Sequence, residues 1–443
     1  MTNTVASFSP SALLDAHASE LERARRWLRG AREAAAVIGL CGPAGVGKTT
    51  AALLLAREHA EERPVLLVHA HGRDAASLAE EMARRSGGAP VVFVLDDVGE
   101  SVRLIALAAP GTLILATGRA ALQAPTVELR PWPEAAAVRL LAQRSGVNER
   151  DASLPVLCAL VNRLPAAIEI VAAALVDART ALPSDAAKQL AEERDRLLRR
   201  TLHVEEAIGI ETALNYVYRR MGVAHQRVVR QLAVIDGAFD AAMAASVSTD
   251  ADVMVDDLLR RRLLIAGDAG DGSDFRMPRI VRDYARARLS NSEGEASRMR
   301  YVENVVLRAR VLKRRCDAGD LDGATAGFDA LRRHIEAAFA AAQPDYHALP
   351  MRAARLLADL VEAVQDVMTQ RMNAAAVRMW QRARVDALRR VRDVRGEIGA
   401  RERLAQSLDA AGDVDGAAQC RAEIERLQAE WAAERRSLDL LVR

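Results

Sequence analysis

Four apolar runs divide the first 130 residues of the chain. They cover residues 35–41, 65–68, 91–97 and 111–117. Continuous apolar runs of this length are typical of strands buried on both faces of a parallel sheet. Residues 49–58, between the first two runs, have helical composition. The alternation therefore predicts a parallel sheet with helices on both faces.

The pattern changes in the last third of the chain, where strand-like runs are almost absent after about residue 295. Residues 318–324 read Ala-Gly-Asp-Leu-Asp-Gly-Ala, and residues 411–417 read Ala-Gly-Asp-Val-Asp-Gly-Ala. In each copy glycine is suited to end a helix and aspartate to begin the next one. The echo predicts a repeated helical hairpin. A plain helical bundle with only a structural role is the alternative.

Composition adds limits on function and location. The chain has 443 residues and a net charge of +2, so charge gives no whole-chain argument for nucleic acid or membrane binding. Its four cysteines are scattered and form no C-x-x-C pair, which favours free thiols in a reducing compartment. No signal-peptide pattern and no apolar run of membrane length occur. We expect a cytoplasmic protein without membrane contact.

Lysine marks the candidate chemistry, because only three of the 62 basic residues are lysine and one of them is Lys48. Lys48 closes the pattern G-x-x-x-x-G-K-[ST], which predicts a phosphate-binding loop between a strand and a helix. A chance glycine-rich turn before a helix is the alternative. The predicted nucleotide-contacting positions of the loop are Gly42, Pro43, Ala44, Gly45, Val46, Gly47, Lys48, Thr49 and Thr50.

The loop predicts the cofactors ATP or ADP with Mg²⁺. Backbone N–H groups and the helix N-terminus would face the phosphates. Lys48 would bridge the β- and γ-phosphates, and the Thr49 hydroxyl would be a ligand of Mg²⁺. No Asn-Lys-x-Asp pattern for guanine occurs, but the sequence does not decide between ATP and GTP.

The third apolar run ends in Asp96 and Asp97. We expect Asp96 to hold Mg²⁺ through water and Asp97 to orient or activate the attacking water. An Asp-Asp turn that caps the next helix is the alternative. Arg119 follows the fourth run and could reach the γ-phosphate, or it could be an ordinary surface arginine. His69 and His71 have no third metal ligand nearby in sequence, so we interpret them as part of a solvated loop.

The order of these motifs resembles the STAND class of signalling ATPases, most closely the NB-ARC type of bacterial regulators. The supporting segments are the phosphate loop, Leu95-Asp96-Asp97, Thr117-Gly118-Arg119 and Arg163-Leu164-Pro165-Ala166-Ala167. The resemblance implies that Pro165 packs on the adenine. It also implies a helical subdomain and then a winged helix near residues 226–285, whose β-wing would be formed around residues 267–272.

Two positions depart from the family pattern. Arg163 replaces the family's glycine, and Met277-Pro278-Arg279 replaces Met-His-Asp. The family histidine contacts the phosphate of ADP and locks the closed state, which Pro278 cannot do, although Arg279 could reach a phosphate.

The predicted fold class is an α/β P-loop NTPase domain followed by helical, winged-helix and all-α regions similar to tetratricopeptide repeats (TPR-like), predominantly helical overall. The expected organisation is a helical arm, a nucleotide-binding domain, a helical subdomain, a winged helix and a TPR-like region, with boundaries at 1–30, 31–130, 131–200, 201–290 and 295–443.

Three functions compete. The first is a switch that is closed with ADP and opens with ATP, with slow hydrolysis, a protein or peptide partner on the C-terminal helices and self-oligomerisation on ATP binding. The second is a DNA-binding ATPase or transcription regulator, for which a steep salt dependence of duplex binding, lost on charge reversal at Arg282 and Arg286, is the test. The third is a scaffold with a structural nucleotide, against which the intact acidic pair argues. DNA is the less favoured partner, because the winged helix of STAND proteins usually serves in packing.

Overall fold

The computed structural model describes residues 13, 15–30, 36–177, 182–200, 205–267, 274–343 and 350–442. The chain divides into two compact units. The first comprises Met1–Val229 and Val253–Ala287, and the second comprises Arg230–Asp252 and Arg288–Arg443. The first 12 residues of the expected N-terminal arm lie outside the described residues, as do residues 268–273 of the expected β-wing.

The first unit is built on a five-stranded parallel sheet in the order β2-β3-β4-β1-β5. Its strands are β1 Ala36–Cys41, β2 Val65–His69, β3 Val92–Asp96, β4 Leu113–Thr117 and β5 Thr126–Glu128. Strand β1 lies between β4 and the edge strand β5, so the loop after β1 emerges at the carboxyl edge of the sheet beside the end of β4. The prediction of a parallel sheet flanked by helices is confirmed.

The apolar runs predict four strands correctly and miss β5. Strand β5 has only three residues, and Val127 is the one that is buried. A segment this short carries no strand-like pattern of its own. It pairs beside Gly39 of β1, where a side chain would place its first carbon 2.6 Å from the Thr126 hydroxyl. Glycine at this position lets the two backbones approach each other closely.

Among the described residues, eight helices lie wholly in the first unit before its chain break, together with the short 3₁₀ turn Leu104–Leu107. They are α1 Ala18–Gly30, α2 Lys48–Arg57, α3 Ala75–Ser86, α4 Glu134–Ser145, α5 Ser153–Leu160, α6 Pro165–Asp177, α7 Pro183–Arg200 and α8 Glu205–Tyr218. Helix α2 packs on β3 and β4, and α1 packs near β1 and β5. Helices α4 to α8 pack on one another and form the helical part that follows the sheet.

The segment expected to be a winged helix contains helices and short strands in an alternating order. These elements are α9 Val223–Leu232, β6 Ala238–Asp240, α10 Ala241–Val247, α11 Ala251–Arg260, β7 Ile265–Ala266, β8 Asp274–Arg276 and α12 Arg279–Arg286. Strands β7 and β8 pair in antiparallel fashion, with Ile265 opposite Arg276. Helix α12 packs against α8, where the Tyr284 hydroxyl donates to Asn215 Oδ1 at 2.6 Å.

The second unit ends in a succession of long helices. They are α13 Asn291–Asp317, α14 Leu321–Ala341, α15 Met351–Arg371, α16 Ala374–Arg390, α17 Val394–Asp409 and α18 Val414–Val442. Each packs on the next, and α13 also packs on α15. This agrees with the predicted array of helical hairpins, whose match to true tetratricopeptide repeats stays a prediction.

The turn between these helices occurs three times with one geometry. Asp320, Asp393 and Asp413 each accept a hydrogen bond from the backbone N–H three residues later, at 2.9, 2.9 and 3.0 Å. The residue before each aspartate has a positive φ, and in the middle copy that residue is Arg392, with φ 57°. The sequence echo predicts the outer two copies. It misses the middle one because arginine stands where glycine is favoured.

All four cysteines are free, in agreement with the sequence. Across the parts of the chain that the structure describes, no helix combines the length and the apolar character needed to cross a membrane.

We expect Asp413→Ala to lower the free energy of unfolding of the C-terminal helices by about 1 kcal/mol, since it removes the side-chain cap of α18. Asp415→Ala, in the first turn of the same helix, is the matched control. Urea denaturation followed by helical circular dichroism measures both. Equal midpoints for the two variants would contradict this role of the cap.

Candidate nucleotide-binding site

The loop between β1 and α2 has the geometry of an anion cradle. Helix α2 begins at Lys48, directly after Gly47, and both Gly45 and Gly47 have left-handed φ angles of 81° and 107°. Successive N–H groups in such a turn face inwards, at the positive end of the helix. Gly42 is equally constrained, because a side chain there would lie 2.2 Å from the Leu129 carbonyl oxygen.

Lys48 folds over this loop. Its Nζ donates to the carbonyl oxygens of Gly42 at 2.8 Å and of Pro43 at 2.9 Å. Burial lowers the pKa of Lys48 to about 8, although the nearby Asp96 carboxylate acts in the opposite direction. An ammonium held in a poorly solvated place is stabilised by an added negative charge. The lysine is therefore poised to gain from a phosphate in the loop.

Asp96 joins three elements through hydrogen bonds. Its Oδ1 accepts from the hydroxyl of Thr49 at 2.6 Å and from the hydroxyl of Thr117 at 2.8 Å, so the start of α2 and the end of β4 meet at the end of β3. Burial would raise the pKa of Asp96, but the neighbouring His69 and the two hydroxyl donors outweigh it and lower the pKa to about 2. The carboxylate is ionised throughout the neutral range.

Asp97 has a different environment from Asp96. Its φ of 63° is left-handed, a conformation that aspartate tolerates better than most residues. Its N–H donates to the Thr117 hydroxyl at 2.9 Å, which fixes the turn after β3. Its carboxylate contacts His71 Nδ1 at 2.9 Å and forms an ion pair with Arg279. The two neighbouring acids are thus held by different partners.

His69, the last residue of β2, and His71, in the loop that follows, contact the acidic pair. The expectation of a solvated loop fits His71, which is exposed, whereas His69 is half-buried in the strand. His69 Nδ1 lies 3.7 Å from Asp96 Oδ2, and its other ring nitrogen lies 3.5 Å from Arg276. The Nε2 of His71 lies 3.4 Å from Arg279. Parallel pairing of β2 with β3 puts His69 opposite Asp96 and so brings their side chains together.

The Pro165 segment meets the phosphate loop directly. The N–H of Ala166 donates to the Gly45 carbonyl oxygen at 3.1 Å, and Pro165 is buried at the start of α6. Arg163 has a φ of 51° in the turn before it, and the preceding Asn162 has a φ of 53°. Glycine is favoured in this conformation, so arginine adopts it at a cost of about 1 kcal/mol. The arginine thus keeps the backbone that the family's glycine allows.

The other residues predicted to contact the nucleotide differ in how deeply they are buried around the loop. Thr50 and Val46 are buried beneath it, whereas Ala44 is half-buried. Arg119 is exposed on the loop after β4, and its carbonyl oxygen accepts from the Gly42 N–H at 3.4 Å. Arg119 is close enough to Lys48 to act on the pKa of the lysine.

Sequence reasoning missed the roles of Thr117 and His17. Thr117 ends a predicted strand next to the acidic one, and a hydroxyl at that point was the available signal. His17 is buried near the backbone of Val46, and its ring meets Trp132 edge-on with centroids 6.3 Å apart. Burial lowers the pKa of His17. No sequence pattern indicates this contact, because it depends on how the N-terminal segment packs.

The donor set fits a magnesium–nucleotide complex. Among the described residues, no group of three or more His, Cys, Asp and Glu side chains is arranged to hold a metal ion. Mg²⁺ bound with a nucleotide takes most of its ligands from phosphates and water and needs only one or two protein oxygens. The Thr49 hydroxyl and the ionised Asp96 supply such oxygens 2.6 Å apart.

Comparisons with known proteins were made on both sequence and structure. No protein-family model and no curated protein matches the chain. A STAND protein with a tetratricopeptide repeat sensor from Pyrococcus horikoshii is similar over 93% of this chain and 77% of its own, with 11% identity and a TM-score of 0.44. The RuvB Holliday junction branch migration motor from Thermotoga maritima is similar over 62% of this chain and 95% of its own, with 15% identity and a TM-score of 0.24.

The fold itself is clear from the chain. A parallel sheet whose first strand leads through a glycine-rich loop into a helix, beside a strand that ends in two acids, is the P-loop NTPase architecture. The identities and TM-scores of the similar structures are low, and the likeness to them supports no statement about function.

We expect nucleotide binding to take up protons at pH 8. Lys48 with a pKa of about 8 is about half protonated there, and a phosphate beside it raises that pKa, so uptake approaches about half a proton. Calorimetry with Mg-ADP in two buffers of different ionisation enthalpy measures the uptake. At pH 6.5 it vanishes, because the lysine is already charged.

Lys188→Met is the control, since Lys188 is an exposed lysine on α7. It retains the buffer dependence, whereas Lys48→Met loses it. Binding heats at pH 8 that are independent of the buffer in the wild-type protein would contradict this account of Lys48.

Proposed function

We propose that the chain is a STAND-type switch: an ATPase whose nucleotide decides how the helical and post-β8 segments sit on the phosphate loop. The single observation that carries the proposal is the position of the Arg279 guanidinium, which lies against Asp97 and His71 beside the phosphate loop. Arg279 begins α12, which is more than 180 residues after the acidic pair in sequence. A distant segment therefore engages the carboxylate expected to act on the attacking water.

Packing around Gly45 supports the same proposal. A methyl group at Gly45 would lie 2.8 Å from Ile210 Cδ1, 3.1 Å from Ala166 Cβ and 3.6 Å from Ile280 Cδ1. These neighbours belong to α8, α6 and α12. Three helices from beyond the sheet thus converge on one point of the loop. A change in loop geometry on nucleotide binding would therefore affect the packing of all three helices, since close-packed contacts do not deform gradually.

The arginine gives the switch its two states. Arg279 bonded to Asp97 neutralises that carboxylate and holds α12 at the site. A γ-phosphate within reach would compete with Asp97 for the same guanidinium, because Arg binds both groups through its fork of donors. The nucleotide can shift the equilibrium only by its difference in affinity for the two arrangements. ADP lacks the γ-phosphate and leaves the Arg279–Asp97 pair in place.

The residues assigned to hydrolysis divide the work. A bound Mg-nucleotide supplies a polarised γ-phosphoryl group that water can attack. Lys48 would hold phosphate oxygens, and Thr49 with Asp96 would hold the metal. Asp97, once released from Arg279, orients water and accepts its proton. Arg119 is an exposed side chain on the same edge and adds positive charge. Slow turnover follows, because the active arrangement requires the ion pair to break.

The wider proposal covers location and partners. We propose that Pro165 packs on adenine, that the C-terminal helices bind a protein or peptide, and that the protein acts in the cytoplasm with self-association on ATP binding. DNA binding gains no support from the expected contact residue Arg282, because this side chain is buried with 9% of its surface exposed. Charge reversal at Arg282 would therefore test folding and not DNA contact.

We expect Arg279→Ala to raise ATP turnover by about fivefold, because a partly buried pair contributes about 1 kcal/mol to the inactive arrangement. Release of ADP also becomes faster. Phosphate release and exchange of a fluorescent ADP measure the two effects.

Arg286→Ala, an exposed arginine on the same helix, serves as the matched control and leaves both rates unchanged. Asp97→Asn abolishes turnover in either background. Equal turnover of the wild-type and Asp97→Asn proteins would favour a scaffold with a structural nucleotide over the switch.

A further inference from the structure

A cavity of about 480 Å³ opens between α16, α17 and α18, within the second unit. Its wall includes Arg382, Arg389, Arg401, Leu404, Leu408 and Cys420. Volumes of this size are typical of ligand sites, which range over about 300–1,000 Å³. Nothing in the nucleotide chemistry described above uses these residues.

The cationic side of the cavity is organised around one buried carboxylate. Arg401 Nε and Nη2 donate to Glu397 Oε1 at 3.0 and 2.8 Å, and both side chains are almost fully buried. Arg389 Nε reaches the same oxygen at 3.4 Å while about half of its side chain stays exposed. Two guanidinium groups thus share a single carboxylate oxygen and keep unused donor capacity.

The second carboxylate at the cavity is also shared. Glu423 lies 3.7 Å from Arg401, but Arg426 already binds both of its oxygens, at 3.0 and 2.6 Å. Arg382, on α16, adds a further exposed guanidinium to the wall. Positive charge therefore exceeds negative charge around the opening, although the whole chain is nearly neutral.

The opposite side of the cavity is mainly apolar, with Gln419 as a polar member. Leu404, Leu408 and Cys420 are buried along α17 and α18. Such a surface accepts an aliphatic side chain next to the acidic groups that the arginines bind. The three helices belong to successive hairpins, and stacked hairpins present extended surfaces to peptides.

We propose that this cavity binds an acidic peptide segment of a partner protein, with carboxylates on Arg382 and Arg389 and an apolar side chain against Leu404 and Leu408. Arg401 is the positioning residue that holds Glu397 and aligns Arg389. The proposal takes the partner-sensing role of these helices from the proposed function, and it adds the chemistry of the partner. Carboxylates and arginines form paired, directional hydrogen bonds, so charge and geometry both select such a peptide.

The test is fluorescence anisotropy of a labelled peptide that alternates Glu or Asp with Leu, added to the full chain without nucleotide. The same peptide with Gln and Asn in place of the acids is the comparison. The acidic peptide binds, with an affinity that falls as salt rises, and the neutral peptide does not.

The decisive variant is Arg382→Glu combined with Arg389→Gln, since glutamate at position 389 would face Glu397. Loss of the two exposed charges weakens binding by about tenfold or more. Arg395→Glu, an exposed arginine of α17 that does not line the cavity, is the control and leaves binding unchanged. Helical circular dichroism verifies that each variant is folded.

Three outcomes would overturn the proposal. The first is that the neutral peptide binds as well as the acidic one. The second is that Arg395→Glu weakens binding as much as the double variant does. The third is complete displacement of the peptide by glutarate or inorganic phosphate at the peptide's own concentration, which would indicate a site for free anions. Failure of the switch is seen separately. Lys48→Ala weakens nucleotide binding by about tenfold or more and leaves peptide binding intact, so the two proposals can fail independently.

Discussion

The hydrogen bonds that Asp96 accepts from Thr49 and Thr117 are the constraint on which the site depends. One carboxylate oxygen fixes the first turn of α2, the end of β3 and the end of β4 relative to each other. Against the effect of burial, His69 and the two hydroxyl donors hold the pKa of Asp96 at about 2, so the acceptor is charged throughout the neutral range. The Thr117 hydroxyl in turn accepts from the Asp97 N–H and sets the left-handed turn that presents Asp97. The position of any side chain that contacts Asp97 is therefore fixed relative to the phosphate loop.

This arrangement gives the two adjacent acids different partners and therefore different tasks. Asp96 is held by hydroxyls within the sheet domain, whereas Asp97 contacts a ring nitrogen of His71 and the guanidinium of Arg279. A carboxylate paired with an arginine can exchange the arginine for another cation. The arginine can also leave the carboxylate and bind an anion. Through this pairing, a helix that is distant in sequence contacts the carboxylate that is proposed to act in hydrolysis. Lys48, which rests on the Gly42 and Pro43 carbonyl oxygens, is the complementary group on the phosphate side.

Much of the fold and of the candidate site could be predicted from local sequence. The loop, the strand ending in Asp96 and Asp97, the four longer strands and two of the three aspartate-capped turns follow from short-range rules. What could not be predicted depends on tertiary contacts or on unusual residues in special conformations. The contact of Arg279 with Asp97 joins positions far apart in sequence, and β5 becomes a strand only by pairing with β1. Arg163 and Arg392 adopt left-handed angles at which a sequence pattern expects glycine. His69 was misjudged because strand register, rather than spacing, brings it to Asp96, whereas His71 lies in an exposed loop as expected.

The central claim is that a nucleotide polyphosphate binds in the loop after β1 and is held by Lys48. Calorimetric titration of the folded protein with ADP and with ATP, both with Mg²⁺, tests it most directly, with Lys48→Ala as the comparison. The account predicts saturable heat for the wild-type protein and a loss of affinity of about tenfold or more for the variant. Absence of heat from both nucleotides, or identical binding by the variant, would contradict it.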